Sequence, residues 1–369
     1  MSFEKIQKNF GFGFMRLPMQ GDAVDMDETR QMVDAFLEAG FNYFDTAHGY
    51  LNGKSELALK TCLTSRYPRE RYVLTNKLSP NFFTRQEDIR NVFADQLEAC
   101  GVDYFDFYLM HAQGRNNFQH YKDCRAYETA LELKAEGKIR HLGISFHDTA
   151  EFLDKILTEY PQIEVVQIQF NYLDYEDPAV QSRLCYEVCR RHGKPVIVME
   201  PVKGGRLVQL PENAKKLLDD LHGGSNASYA IRFAASFEGI MMVLSGMGSM
   251  AMVQDNISYM ADFQPITPSE RETLEQVCGI MRSADLIPCT ACHYCTEQCP
   301  QGIAIPDLFD CLNDQRQWGN DNHRYYQYIL KKSGKSPADC LECGICENAC
   351  PQHLAIRDLL KTVAETYEQ

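Results

Sequence analysis

Eight of the fifteen cysteines lie in two groups after residue 288, and the spacing is the same in both groups. The first group is Cys289, Cys292, Cys295 and Cys299 before Pro300, and the second is Cys340, Cys343, Cys346 and Cys350 before Pro351. Three cysteines separated by two residues each can occupy three corners of an iron–sulfur cubane. Structural zinc usually takes two separated Cys-x2-Cys pairs, which fit this pattern poorly. The spacing therefore predicts two [4Fe–4S] clusters, which usually transfer electrons singly.

The stretch from about residue 285 to 360 resembles the two-cluster bacterial ferredoxins, in a mainly helical version. In those proteins the cysteine that precedes proline binds the other cluster. The resemblance implies that Cys350 joins Cys289, Cys292 and Cys295 at one cluster, and that Cys299 joins Cys340, Cys343 and Cys346 at the other. The seven remaining cysteines are scattered, and we predict that they are buried thiols: Cys62, Cys100, Cys124, Cys185, Cys189, Cys278 and Cys311.

A second set of reactive side chains stands where predicted strands end. Asp45, Lys77 and His111 close three consecutive apolar runs, and Tyr50 follows in the loop after Asp45. Each of them alone is more often structural than catalytic. In a barrel of parallel strands, however, the carboxyl ends meet on one rim, where active sites form. We therefore expect the four side chains to share one site.

Eight apolar runs that alternate with helical periodicity must position this site. They are Phe10–Leu17, Phe41–Thr46, Tyr72–Lys77, Phe105–His111, His141–Ser145, Val165–Asn171, Pro195–Glu200 and Ile240–Gly246. Strands that alternate with helices favour parallel pairing, and eight units of this length fit an α/β fold, the (β/α)8 TIM barrel of about 250 residues. An open doubly wound sheet is the alternative, but its Gly-rich turn is missing.

The predicted domains are a barrel over residues 1–265, a linking helix over 266–284 and a small, mainly helical iron–sulfur domain over 285–369. The linking helix is expected because Thr267-Pro-Ser-Glu270 has the form of a capping box with proline at the first helical position.

The barrel part resembles the aldo-keto reductase family over about residues 5–260. The likeness is carried, in the family's order, by Gly11-Phe-Gly-Phe-Met-Arg-Leu-Pro18, Phe44-Asp-Thr-Ala-His-Gly-Tyr50, Leu74-Thr-Asn-Lys77, Tyr108-Leu-Met-His111 and Gly143-Ile-Ser145. The resemblance implies that Tyr50 protonates a carbonyl oxygen while the carbonyl carbon receives hydride. It further implies that Lys77 makes Tyr50 a better acid, that Asp45 holds Lys77 charged, and that His111 orients the carbonyl.

The same resemblance implies NAD(P)H along the rim. Ser145, Gln167 or Gln169, and Asn171 suit the nicotinamide carboxamide; Lys203, Gly204 and Gly205 suit the pyrophosphate; Asn256 suits the adenine end. Two usual features are missing. Met199 replaces the aromatic residue after the seventh strand, and residues 246–255 hold no Lys or Arg to bind the 2′-phosphate of NADP. A preference for NADP is therefore not expected.

Electron counting leaves three arrangements open. Nicotinamide delivers two electrons as hydride, whereas a cluster usually passes them singly, and flavin is the usual converter between the two. The chain is thus a hydride enzyme with structural or sensing clusters, a flavin-bridged enzyme, or an enzyme in which the clusters drive one-electron reduction. A fourth hypothesis, from another class, is an electron carrier or redox sensor whose barrel is a scaffold.

Bulk composition limits the partners. The net charge of −14 argues against nucleic acid, because phosphate contacts need clustered Lys and Arg. No apolar run approaches the length of about 20 residues that a membrane span needs. The first residues lack the apolar segment of a signal peptide, so we expect a cytoplasmic protein. The expected partners are a small carbonyl-type substrate and an external electron-transfer protein.

Overall fold

The computed structural model describes residues 3–319 and 321–368, which form two compact units. One unit contains the described residues up to Asp177, together with Gln181–Pro201 and Ala227–Thr267. The other contains Pro178–Val180, Val202–Asn226 and the described residues from Pro268 onward. The second unit thus includes a stretch of about 25 residues that the chain supplies well before the cysteine groups.

The first unit is a closed barrel of eight parallel strands, which confirms the predicted fold class. The strands are β1 (Phe10–Gly13), β2 (Tyr43–Asp45), β3 (Val73–Leu78), β4 (Phe105–Gln113), β5 (Ile139–Phe146), β6 (Val165–Gln169), β7 (Val196–Met199) and β8 (Ile240–Gly246). Each strand pairs with its neighbours in sequence, and β8 closes the ring on β1. Asp45 is in register with Thr75, and Lys77 with Leu109, so the predicted rim residues end adjacent strands.

Helices follow the strands along the chain. They are α1 (Met26–Glu38), α2 (Lys54–Leu59), α3 (Gln86–Cys100), α4 (Phe118–Asp123), α5 (Ala126–Ala135), α6 (Ala150–Glu159), α7 (Ser182–Arg191), α8 (Glu212–Asp219), α9 (Asn226–Ala235) and α10 (Met250–Met260). Helix α2 continues into a π-helical turn, Lys60–Thr64, and a two-stranded hairpin joins Met19–Gln20 to Ala23–Val24. Helix α8 belongs to the second unit.

The first helix shows how the sequence sets these elements. Asp25 caps α1, because its carboxylate accepts hydrogen bonds from the backbone N–H groups of Asp27 and Glu28. Met32, Val33 and Phe36 recur at helical spacing and are buried. Removing these side chains from water stabilises the fold by about 1.5–3 kcal/mol each.

The second unit is mainly helical, with a core of its own. Its remaining helices are α11 (Pro268–Ser283), α12 (Tyr294–Glu297), α13 (Ile305–Trp318), α14 (His323–Ser333), α15 (Ile345–Ala349) and α16 (Ile356–Tyr367). Leu308 and Phe309 from α13 and Leu360 and Val363 from α16 are buried in this core, among the cysteines. Within the described residues, no helix is both long and apolar enough to cross a membrane.

Candidate active site and cysteine-lined cavities

Lys77 and Asp45 form a buried ion pair on the barrel rim. Lys77 Nζ donates to Asp45 Oδ1 at 2.6 Å and to the backbone carbonyl of Thr46 at 2.8 Å. The two side chains are only 1% and 5% exposed. Direct hydrogen bonds therefore hold Lys77 in place on the rim, and the Asp45 carboxylate favours its protonated form.

Burial acts on both members of this pair. It lowers the pKa of Lys77, and the neighbouring Asp45 carboxylate opposes this effect. It also raises the pKa of Asp45, an effect that Lys77 and Gln167 oppose. Each group thus favours the charged form of the other, and loss of either one would leave its partner buried without a counter-charge.

Tyr50 reaches the same ammonium from the loop after β2. Lys77 Nζ lies 3.4 Å from the Tyr50 hydroxyl oxygen, to which it donates, and 4.8 Å from the ring centroid. The loop turns back through three left-handed residues: Leu51 with φ of 53°, Asn52 with φ of 55° and Gly53 with φ of 81°. A hydrogen bond from Tyr50 N to Ala47 O at 3.0 Å starts this turn. The result is a phenol held against an ammonium.

His111, near the end of β4, is the fourth member of the set. Its ring centroid lies 5.9 Å from that of Tyr50, at an interplanar angle of 75°. Burial lowers the pKa of His111 well below its usual value, and the nearby Lys77 adds to this effect. The imidazole is therefore neutral near pH 7. Structure thus brings together all four residues that the sequence singled out: Asp45, Tyr50, Lys77 and His111.

Sequence reasoning missed Ser79, which holds the His111 ring. Ser79 Oγ lies 2.6 Å from His111 Nδ1, and both side chains are buried. In a neutral imidazole one ring nitrogen accepts and the other donates. A hydroxyl that donates to Nδ1 therefore leaves Nε2–H as a donor. The only sequence signal was a hydroxyl residue two positions after Lys77, which is too common to single out.

A buried polar network also fixes the backbone of Lys77. Asn76 Oδ1 accepts from Lys77 N at 2.8 Å, and Gln96 Nε2 donates to Lys77 O at 2.9 Å. Asn76 Nδ2 in turn donates to Glu56 Oε1 at 2.8 Å, and Glu56 Oε2 lies 2.8 Å from His48 Nδ1. This chain connects strand β3 to the loop that carries Tyr50. None of these supporting residues was predicted.

The predicted carboxamide residues lie at the ends of β5 and β6. Ser145 Oγ accepts from Ala112 N at 2.8 Å, and Gln169 Oε1 lies 3.3 Å from His147 Nδ1. The buried Nε2 of Gln169 has no hydrogen-bond partner among the described residues. Gln167 is buried in β6, with its amide directed to Asp45. An unsatisfied buried amide donor suits a ligand carbonyl such as that of a carboxamide.

Two other predicted residues of the barrel are engaged within the protein. Asn171 Nδ2 donates to Asp174 Oδ2 at 2.8 Å and to Glu200 O at 3.0 Å. Asn256 Nδ2, on α10, donates to Ser245 Oγ at 2.9 Å. Lys203, Gly204 and Gly205 form a 3-10 turn that belongs to the other unit. A role for these residues in nucleotide binding stays a prediction.

In the second unit the cysteines surround two separate cavities. One cavity is lined by Cys289, Cys292, Cys295 and Cys350. The other cavity is lined by Cys299, Cys340, Cys343 and Cys346. Each cavity thus takes three cysteines from one group and the last cysteine of the other. All other lining side chains are neutral or apolar apart from His293. Four thiols around one cavity are the donor set of an iron–sulfur cluster.

Two family models match the chain. The model of the aldo/keto reductase family matches residues 9–278, and that of the 4Fe-4S dicluster domain matches residues 288–355. The first match covers well over half of the chain.

Known proteins resemble the barrel part. A curated relative, the NADH-specific methylglyoxal reductase of Escherichia coli (strain K12), is 32% identical over 208 residues. That alignment covers 51% of this chain and 61% of the relative. The holo form of an aldo-keto reductase from Bacillus halodurans has a TM-score of 0.60 at 25% identity and covers 73% of this chain and 92% of its own. A second solved structure is an aldo-keto reductase from Klebsiella pneumoniae in complex with NADPH, with 21% identity and a TM-score of 0.60. The alignment covers 73% of this chain and 90% of the Klebsiella chain, and it supports the fold.

Proposed function

Because the chain belongs to the aldo/keto reductase family and carries a 4Fe-4S domain, we propose that this oxidoreductase reduces a small carbonyl compound at Tyr50 and holds two [4Fe–4S] clusters. The observation that supports the reaction best is the contact of Lys77 with both Asp45 and the Tyr50 hydroxyl, at 2.6 and 3.4 Å. A phenol beside a buried ammonium is a group that gives up a proton where a carbonyl oxygen gains charge.

Lys77 supplies the electrostatic part of this step. At an effective dielectric of about 20, which suits buried protein sites, an ammonium about 4 Å from a phenolate stabilises it by about 4 kcal/mol. Each 1.36 kcal/mol corresponds to about a tenfold change in rate when it acts on the transition state. Asp45 keeps the lysine protonated, and thus keeps this contribution in place at neutral pH.

His111 orients the substrate in this proposal. As a neutral imidazole with Nδ1 at 2.6 Å from Ser79, it offers its other nitrogen as a donor to the carbonyl oxygen. Tyr50 and His111 then approach the same oxygen. Two donors on one oxygen stabilise the negative charge that develops there when the carbon is reduced.

NAD(P)H, when bound, supplies the hydride. Gln169, with its unsatisfied buried amide nitrogen, and Ser145 are the residues that we propose hold the carboxamide. Residues 246–255 hold no Lys or Arg, and the relative in Escherichia coli is named as NADH-specific. Both observations support NADH over NADPH.

The clusters, when bound, store single electrons. We assign Cys289, Cys292, Cys295 and Cys350 to the first cluster and Cys340, Cys343, Cys346 and Cys299 to the second, because these sets line the two cavities. An external electron-transfer protein is the proposed partner of these clusters. Exchange between single electrons and a hydride needs a converter, for which flavin is the candidate cofactor.

The reaction is tested with methylglyoxal as the probe carbonyl and NADH as reductant. Tyr50→Phe should lower kcat/KM at least about a hundredfold, the lower end of what a positioned proton donor contributes. Tyr67→Phe is the matched control, because it removes a hydroxyl bonded to Asp34 on helix α1 and should change the rate less than twofold. A Tyr50→Phe enzyme as fast as the wild type contradicts the proposal.

A binding experiment separates the enzyme from a carrier. Titration of the intrinsic fluorescence with NADH, NADPH and FMN should show tight binding of NADH. An absorbance spectrum of anaerobically purified protein, before and after dithionite, reports clusters and flavin together. Binding of no nucleotide, with clusters present, would favour an electron carrier whose barrel is a scaffold.

A further inference from the structure

The iron–sulfur unit is built from two halves that repeat each other beyond the cysteines. After Cys299 the chain reads Pro-Gln-Gly-Ile-Ala-Ile-Pro-Asp-Leu, and after Cys350 it reads Pro-Gln-His-Leu-Ala-Ile-Arg-Asp-Leu. Helices α13 and α16 begin at the same point of each repeat, and their capping residues share a conformation. Ala304 has φ and ψ of −76° and 61°, and Ala355 has −74° and 69°. Positions in the two halves can therefore be compared one to one.

This comparison identifies a contact between a lysine and a glutamine that differs between the two halves. Lys335, five residues before Cys340, donates from Nζ to Gln301 Oε1 at 3.2 Å, and Gln301 lines the second cavity. The equivalent of Lys335 in the first half, five residues before Cys289, is Ala284, which has no charge. The first cysteine group therefore lacks a lysine of its own at this position.

The stretch Val202–Asn226 supplies that lysine instead. Lys203 Nζ donates to Gln352 Oε1 at 3.1 Å, and Gln352 lines the first cavity as Gln301 lines the second. The donor comes from 149 residues away in the sequence. Lys203 takes the left-handed conformation, with φ of 48°, and is 2% exposed. Lys203 thus contacts Gln352 as Lys335 contacts Gln301, although the first half of the repeat has the uncharged Ala284 at the position of Lys335.

Two neighbours of Lys203 hold the same stretch against the first cysteine group. Gly204 packs on Thr290 so closely that a Cβ atom would lie 2.4 Å from the Thr290 carbonyl oxygen. Arg206 Nε donates to the carbonyl oxygen of Cys289 at 2.9 Å. The glycine therefore permits the contact, and the arginine adds a second cation beside a cavity-lining cysteine.

We propose that Lys203 and Arg206 raise the reduction potential of the first cluster above that of the second, so that an electron entering this unit rests on the first cluster. This inference rests on the two clusters of the proposed function. The step moves one electron from the reduced second cluster to the oxidised first cluster, with no bond or proton change. An external one-electron donor supplies that electron.

The physical reason is the burial of the two cations beside the first cluster, not their number. Reduction adds one negative charge to a cluster, and net charge and hydrogen bonding around the sulfurs set the potential. A cation stabilises this charge more strongly in a low-dielectric interior than near water. Lys203 is almost fully buried, whereas Lys335 is partly exposed. Carboxylates accompany both sites, with Asp310 and Asp314 facing Arg206, and Glu342 and Glu347 paired with Lys361 and Arg357.

The test is an anaerobic redox titration of the full chain, followed by electron paramagnetic resonance. Wild-type protein with about eight iron atoms should show two midpoint potentials. A Cys292→Ala variant assigns them, because it removes the first cluster and should lose the higher potential. Lys203→Met should lower that higher potential by about 59 mV or more, which is a tenfold change in the one-electron equilibrium between the clusters. Lys203→Arg, which keeps the positive charge, should leave the higher potential near its wild-type value.

Lys335→Met is the matched control and should lower only the lower potential. If Lys203→Met loses iron, Arg206→Gln decides the question, since it should lower the same higher potential. An unchanged potential in a fully loaded Lys203→Met or Arg206→Gln variant overturns the inference and leaves the clusters in place. A wild-type protein that binds iron at only one site, or at none, overturns the cluster assignment as well.

Discussion

The backbone N–H of Met250 donates a 3.0 Å hydrogen bond to Glu28 Oε1, joining residues 222 positions apart. Met250 is the first residue of helix α10, and Glu28 lies in the first turn of α1. A carboxylate at a helix N-terminus takes the position that an anionic ligand would favour. This N-terminus of α10 precedes Asn256 in the sequence. It belongs to the stretch in which the resemblance leads us to expect Lys and Arg for a 2′-phosphate. We therefore expect Glu28 to disfavour NADPH, whose 2′-phosphate carries a further negative charge.

Glu28→Gln should shift the preference between the two nucleotides toward NADPH. The charge at a helix terminus contributes about 0.3–1 kcal/mol, so the ratio of kcat/KM for NADPH over NADH should rise about two- to fivefold. Glu38→Gln, at the exposed other end of the same helix, should leave the ratio unchanged. If the ratio of kcat/KM for NADPH over NADH is the same in Glu28→Gln and in the wild type, Glu28 has no role in nucleotide specificity.

Asp45→Asn should narrow the pH range of activity from its alkaline side. Asp45 raises the pKa of Lys77 against the lowering effect of burial. Without the carboxylate this pKa falls further, so the ammonium loses its proton, and Tyr50 its support, at a lower pH. The alkaline limb of kcat/KM should therefore move toward neutral pH, and the plateau should also fall.

A full pH–rate profile of Asp45→Asn measures this shift. Asp34→Asn is the control, because Asp34 pairs with Arg66 at 2.7 Å and both side chains are about one-third exposed. Its profile should match that of the wild type. An alkaline limb at the wild-type position in Asp45→Asn would show that Lys77 does not control it.

Ser79→Ala should impair the orientation of the carbonyl without removing the proton donor. Loss of the hydroxyl at 2.6 Å from His111 Nδ1 frees the ring to adopt the other tautomer. A net hydrogen bond is worth about 0.5–1.5 kcal/mol, so kcat should fall about two- to tenfold. Ser79→Thr keeps a hydroxyl and should recover most of the rate. Equal losses in both variants would indicate a packing effect instead.

Much of the barrel and the grouping of the four rim residues could be predicted, because both leave local signals. Strands of Val, Ile and Phe alternate with helices, and Asp45, Lys77 and His111 each stand at the end of such a strand. Ser79 and Glu28 could not be predicted in the same way. Their partners, His111 and Met250, are brought near by the closure of the barrel and by helix packing, which no spacing encodes.

Lys203 is a further residue whose contact partner could not be predicted from spacing in the sequence. The resemblance implies that Lys203, beside two glycines, suits a pyrophosphate, and this role stays a prediction. The structure shows Lys203 bonded to Gln352 and Gly204 packed on Thr290. The glycine was expected for a close backbone approach, but the partner is a protein segment near the cysteines. Only the three-dimensional fold identifies that partner.

The crossed cysteine sets predict an unusual pattern of iron content in double variants. If Cys350 serves the cluster of Cys289, Cys292 and Cys295, then Cys350→Ala should keep about four of about eight iron atoms. Adding Cys292→Ala should cost no further iron, because both substitutions damage one cluster. Adding Cys343→Ala instead should remove nearly all of it, because the second substitution damages the other cluster.

The opposite pattern would follow if each cysteine group bound its own cluster. Cys350→Ala with Cys343→Ala would then keep about four iron atoms, and Cys350→Ala with Cys292→Ala would keep almost none. The two double variants carry the same number of substitutions of the same kind, so a general loss of stability affects both alike. Iron and acid-labile sulfide per chain, measured on anaerobically prepared protein, therefore distinguish the two arrangements directly. The cavities favour the crossed one, because Cys350 lines the cavity of the first group and Cys299 that of the second.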